Sequence, residues 1–164
     1  GDAFHIAQKL LNINKLSKKK VVEIILLSRN SADTGLRVFN SIKHYNLDIK
    51  RAAFSGGSSP YRYISNLSCD LFLSRNSIDV REALENDLAA ATLISSNSKQ
   101  CVDSQIRFAF DGDSVLFSDS SERIYKSKGL EAFCENESNS AEIPLDPGPF
   151  KPLLTTLHLS LIHI

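Results

Sequence analysis

The sequence has no tryptophan and no methionine, only three cysteines and five prolines, and no net charge. Each shortage removes a class of protein. Lysine plus arginine equals aspartate plus glutamate at 19 each, so no excess of cations marks a nucleic-acid backbone as the expected partner. No apolar run approaches the roughly 20 residues that a bilayer-spanning helix needs. The opening GDAFHIAQKLLNIN is amphipathic rather than the apolar core of a secretory signal. No membrane partner is expected, and the cytoplasm is the expected compartment. Cys69, Cys101 and Cys134 are odd in number and share no close spacing, which fits reduced thiols better than a disulfide framework. His5, His44, His158 and His163 form no H-x-x-x-H pair and the cysteines no C-x-x-C, which argues against a zinc site.

What is present is the composition of a globular domain. Hydrophobic residues make up 42% and charged residues 23% of 164, enough for one ordinary core. The ends read differently. A chain without methionine does not begin at a natural start, and LSLIHI (Leu159 to Ile164) is what a common sequencing-library adapter encodes in frame. Those six residues are therefore set aside as a scar, with a natural apolar tail as the alternative. The expectation is a fragment cut at both ends.

Between the ends the hydrophobic period switches repeatedly. Helical spacing is expected over Ala3–Asn14, Leu36–Tyr45, Tyr61–Leu67, Ser77–Asn86, Ser121–Asn136 and Pro149–His158. Strands are expected at Val21–Leu27, Ala52–Phe54, Asp70–Ser74, Ala89–Ser95 and Gln105–Phe110. Ser77 is the expected cap of its helix, with Asp79 in the first turn. Strands alternating with helices of about ten residues predict an α/β fold, a mostly parallel Rossmann-like sheet with helices on both faces. In such sheets the working residues lie in loops at the carboxyl ends of strands. Those loops here are SRNS, SGGSSP, a second SRNS, and DGDS; small polar residues also simply suit tight turns.

The last loop carries the most chemistry. Asp111 and Asp113 end an apolar run, and Val115, Leu116 and Phe117 resume it. Residues two apart on a strand project to one side, so both carboxylates are expected in one crevice. Gly112 lets the backbone turn and leaves its amide accessible to a phosphate. Two carboxylates can hold a hard cation such as Mg²⁺. One can then attack phosphorus while the other passes a proton. A bare D-x-D is weak, because it also marks ordinary turns. It is not an EF-hand, since the later ligands and closing glutamate are missing.

The extended segment FDGDSVLFSD, followed by SERIYKSKGLEAF, closely resembles the cytosolic type I 5′-nucleotidases, members of the haloacid dehalogenase superfamily. TGLRVFNSIKHYNLDIKRAAFSGGSSPYRYI, DLFLS…DVREAL and AAATLIS resemble that family in the same order, so the likeness covers nearly everything up to about Leu157. The resemblance implies Mg²⁺-dependent hydrolysis of a nucleoside 5′-monophosphate, AMP first among them. It implies Asp111 as the nucleophile, forming an aspartyl-phosphate, and Asp113 as general acid and then base. Both would bind the metal, Asp113 through its main-chain carbonyl. It also allows a homo-oligomer.

A superfamily site also needs a Ser or Thr strand end, a lysine and a further acidic strand end, and these normally follow the D-x-D. After Asp113 the chain offers helices and an acidic loop instead. Partial counterparts stand upstream, with Ser28 at a strand end and DLFLSRNS where an acidic pair belongs. The expected organisation is residues 1–104 as the later part of a degenerate first half and 105–158 as the opening of the catalytic half. GDAFHIAQKLL and GPFKPLLTTL, which share a glycine, a phenylalanine and a helical pattern, are a short echo of that duplication. In a permuted alternative, Ser28 binds phosphate beside Asp111, with Lys18, Lys19, Lys20 or Arg29 supplying charge. A non-catalytic nucleotide- or metal-binding module using the same crevice is the competing function, and an interaction domain a third.

Overall fold

The computed structural model describes residues 3–16, 18–95 and 105–162. Its architecture is mixed α/β. Strand β1 (Ile25–Ser28), helix α2 (Ala32–His44) and strand β2 (Arg51–Phe54) follow helix α1 (Phe4–Ile13). β1 and β2 pair in parallel, from Ile25 opposite Arg51 to Ser28 opposite Phe54. After the short helix α3 (Tyr61–Ile64), strand β3 (Phe72–Ser74), helix α4 (Ser77–Leu84) and strand β4 (Ala90–Thr92) repeat the pattern, with Phe72 opposite Ala90. The alternation of periods thus produced two strand–helix–strand units. The described strands form two separate two-stranded sheets rather than one continuous sheet.

The two units share a local code. S-R-N-S-x-D occupies residues 28–33 after β1 and 74–79 after β3. In each copy the serine hydroxyl accepts the N–H two residues on, from Asn30 to Ser28 and from Asn76 to Ser74, both at 3.1 Å. That hydroxyl turn ends the strand and aims the chain into the helix. The serine carbonyl also accepts the N–H just beyond the partner strand, from Ser55 and from Leu93, both at 2.8 Å. The cap of α4 falls one residue before the expected Ser77. Asn76 accepts the Ile78 N–H through its side chain at 3.0 Å. α2 starts at Ala32, earlier than the apolar pattern indicated. It includes Gly35, where the Phe54 ring leaves no room for a side chain.

The copies differ in environment. Asp33 is exposed, whereas Asp79 is 2% exposed. Arg29 of the first copy donates to the Asp79 carboxylate and Ser59 donates to it at 3.3 Å. A buried carboxylate demands such partners. The core lies beside it: Ile64, Phe72, Val80, Ala83 and Ala90 are buried, with Leu27 of β1 and Leu84 packed against them. One core therefore serves both strand pairs.

Downstream the chain is helical. α5 (Ser120–Lys128) and α6 (Leu130–Asn139) replace the single helix expected over 121–136. Gly129 breaks it at φ 85°, ψ −177°, a conformation open to glycine. Ser121 donates to Glu137 at 2.6 Å and holds the two helices side by side. α7 (Lys151–Ile162) buries Leu153, and Thr156 donates to Asp70 at 3.2 Å. The backbone of α7 continues through Leu159 to Ile162.

The fifth expected strand, Gln105–Phe110, joins neither of the two sheets of the described residues. Its rings are used sideways instead. Phe108 and Phe110 stack with centroids 6.0 Å apart, and Phe110 meets Phe150 edge-on at 5.8 Å. Cys69 and Cys134 are free thiols, burial pushing that of Cys69 up, while Cys101 lies outside the described residues. No described helix is long and apolar enough to cross a membrane.

Candidate active site

Asp111 does not end a strand; it opens a wide turn. Asp111 and Asp113 are both extended, at ψ 147° and 138°. Ser114 then enters the left-handed region at φ 61°, ψ 2°. The turn closes with the Phe117 N–H donating to the Gly112 carbonyl at 3.0 Å and the Leu116 N–H to the Asp111 carbonyl at 3.4 Å. Both carboxylates are exposed, and neither has a side-chain hydrogen bond or ion pair among the described residues. No atom would meet a side chain placed at Gly112 within 4 Å, so one face of the turn is open.

The far side of the turn is held firmly. Gly148 donates to the Leu116 carbonyl at 2.8 Å, Phe150 to Val115 at 3.2 Å, and Ser118 to Asp146 at 2.8 Å. Phe117 forms an antiparallel bridge with Pro147. A Cβ at Gly148 would stand 2.4 Å from the Val115 carbonyl oxygen and 2.5 Å from that of Phe117. Only glycine permits this approach. Gly148→Ala is expected to lower stability by about 1–3 kcal/mol, the usual cost of overpacking, read as a lower urea midpoint at unchanged m-value.

The turn is also held by a side chain. Left-handed backbone costs a non-glycine residue about 1 kcal/mol or more. Here the Ser114 hydroxyl donates to Glu122 Oε2 at 2.8 Å, and Lys126 Nζ lies 2.7 Å from Glu122 Oε1. The hydrogen bond from Lys126, then that from Ser114, holds the Glu122 carboxyl below its ordinary range. The folded pKa lies below the unfolded one, so this contribution is complete above the unfolded value near 4.5. It fades as pH falls through the folded value. Carboxyl-detected NMR should show Glu122 titrating below the ordinary glutamates. A normal titration in Lys126→Ala and Ser114→Ala together would assign the cause.

Beside the turn lies a cleft of about 530 Å³ between Ser114, Phe117, Arg123 and Lys151, reaching Leu84 and Asp87 at the end of α4. Its size is that of an ordinary small-ligand site. Arg123 is paired with Asp119 at 2.9 Å. Leu84 and Asp87 lead into the start of β4, so the cleft faces the amino ends of β3 and β4. The SRNS loops sit at the opposite, carboxyl ends. Ser28 and Asp111 share no hydrogen bond among the described residues, and the Ser28 hydroxyl accepts from the Asn30 N–H. The glycine amides of SGGSSP are occupied as well: Gly56 donates to Asn30 at 3.1 Å and Gly57 to Arg29 at 2.6 Å. That loop is a structural tie between the strands.

No group of three or more His, Cys, Asp or Glu side chains gathers among the described residues. At the turn the Glu122 carboxylate is engaged by Ser114 and Lys126, whereas Asp111 and Asp113 offer hard oxygen donors. That pair suits Mg²⁺, which commonly takes one or two carboxylates and fills its remaining positions with water and phosphate oxygens.

A scan against protein families matches the 5′-nucleotidase model over residues 1–161. The chain belongs to the 5′-nucleotidase family. Human cytosolic 5′-nucleotidase 1B is 34% identical, with 96% of this chain covered. The chain spans 27% of that relative's length. No solved structure matches it. Sequence reasoning reached the two aspartates but missed the Ser114–Glu122 contact and Gly148. The i, i+4 pair Glu122–Lys126 in SERIYK is the pattern of an exposed helix face and gave no sign of the contact with Ser114.

Proposed function

We propose that the protein represented by this chain hydrolyses nucleoside 5′-monophosphates at the Asp111–Asp113 turn, with AMP the first substrate to test. The observation that carries the reading is the pair of exposed carboxylates without side-chain partners, two residues apart on a turn fixed from behind, in a 5′-nucleotidase chain. Asp111 bonds to phosphorus as the bond to O5′ breaks, and Asp113 gives its proton to that oxygen. Asp113 then takes a proton from water, which attacks the aspartyl-phosphate and releases phosphate while restoring Asp111. The Asp111 carboxylate and the Asp113 carbonyl would hold Mg²⁺, which would supply charge neutralisation at the phosphate. The Gly112 amide, on the open face, binds a phosphate oxygen.

The same reading extends to organisation and place. The two parallel strand pairs belong to a haloacid dehalogenase-type sheet, with residues 1–104 in a degenerate half and 105–158 opening the catalytic half. A relative named as cytosolic supports the cytoplasm as the compartment. The test is phosphate release from AMP with Mg²⁺, and with EDTA in its place. It is run on the natural full-length polypeptide, on this 164-residue chain, and on Asp111→Asn of each. Metal-dependent release by the full-length protein, absent from its variant, is expected. The chain alone is expected to release none, because among the described residues no strand follows Asp113 to carry the hydroxyl, lysine and acidic groups of a superfamily site. Wild-type release by full-length Asp111→Asn would sink the mechanism.

A further inference from the structure

We infer that Glu122 is a positioning residue, which sets the Asp111–Asp113 turn by holding Ser114 in its left-handed conformation. The inference rests on the reaction proposed above, but concerns a residue that does not touch the substrate. Three observations converge on it. Ser114 directly follows Asp113 and is one of only four non-glycine residues with positive φ among those described. Its hydroxyl has one acceptor, Glu122 Oε2 at 2.8 Å, and that carboxylate is fixed in turn by Lys126 at 2.7 Å. The helix carrying Glu122 is itself anchored, through the buried Ser121 and its hydrogen bond to Glu137 at 2.6 Å.

The geometry explains why the clamp acts on Asp113. On its C-terminal side the turn is tied by backbone bonds from residues 146–150. On its N-terminal side Asp111 and Asp113 have no side-chain tether among the described residues. The direction in which the Asp113 carbonyl and carboxylate leave the turn is therefore set by the torsions of Ser114. Those torsions are held by the turn-closing backbone bonds to Asp111 and Gly112 and, from outside the turn, by the side-chain hydrogen bond to Glu122. Without it, Ser114 relaxes toward the ordinary negative-φ regions and swings the peptide that joins it to Asp113. A displacement of about 1 Å in a reacting group can cost on the order of a hundredfold in rate.

The test is a two-residue cycle in the natural full-length polypeptide, with AMP as substrate. Glu122→Ala is expected to lower kcat by roughly ten- to a hundredfold with KM changed less than about threefold. Glu122→Gln keeps an acceptor for Ser114 and should retain most of the wild-type rate. Glycine adopts φ near 60° without a hydroxyl to hold it, so Ser114→Gly combined with Glu122→Ala should recover activity relative to Glu122→Ala alone. Measured as kcat per folded molecule, that rescue separates positioning from a gain in stability. The inference is overturned if Glu122→Ala lowers the melting temperature yet leaves kcat per folded molecule intact. It is equally overturned if the second substitution adds to the loss. Activity that survives Asp111→Asn would instead strike the proposed reaction, so the two failures are separable.

Discussion

Asp111→Asn and Asp113→Asn should fail differently when the leaving group is changed. An amide cannot serve as the nucleophile, so Asp111→Asn is expected to abolish release from both AMP and p-nitrophenyl phosphate. Asp113→Asn removes proton transfer, an effect of about 10²–10⁴-fold where the leaving group needs a proton. The 5′-oxygen of a nucleoside is such a group. Nitrophenolate leaves without one, so its release should fall far less in the first step. A burst of nitrophenol followed by slow turnover is therefore expected for Asp113→Asn, since hydrolysis of the aspartyl-phosphate still needs the base. Equal losses with the two substrates would mean that Asp113 serves the metal or the fold rather than the proton.

Ile64→Ala is expected to destabilise the fold by about 2–5 kcal/mol, the range for emptying a buried aliphatic site. Ile64 is 2% exposed and packs among Phe72, Val80, Ala83 and Ala90. The loss is large beside the 5–15 kcal/mol that stabilises a typical domain. The same cluster includes Leu27 of β1 and Leu84, which also lines the cleft beside Ser114. The variant should therefore loosen both strand pairs in a single transition. Hydrogen exchange at Leu26 and at Leu73 should accelerate together, whereas protection lost only around β3 and β4 would contradict a shared core.

The order of elements was legible because the switch of hydrophobic period is local. Four of five expected strands form, with shifted bounds, because β-branched and aliphatic residues there meet a parallel partner. Gln105–Phe110 alternates equally well, but alternation says only that every second residue wants company. Phe150 supplied it in place of a sheet. Gly129 was visible as a helix breaker inside SERIYKSKGLEAF, yet the apolar residues on both sides disguised two helices as one. At the site, the residue types Asp111 and Asp113 were readable, but the conformation between them was not. Ser114 adopts φ 61° because of a glutamate eight positions later and a glycine 34 positions later. Contacts of that kind carry no periodic signature. Serine and glycine suit both phosphates and strand ends, and in the described residues the Ser28 hydroxyl and the Gly56 and Gly57 amides make hydrogen bonds at the strand ends.

The counter-ion of Asp79 comes from the other copy of its own motif. Arg29 sits at the end of β1, and the carboxylate that it neutralises sits in the first turn of α4. Cutting the chain between the two units would strand a buried charge in one piece and open the core at Leu27 in the other. The recurring motif therefore does not mark two interchangeable modules: one copy lends the charge that balances the buried carboxylate of the other.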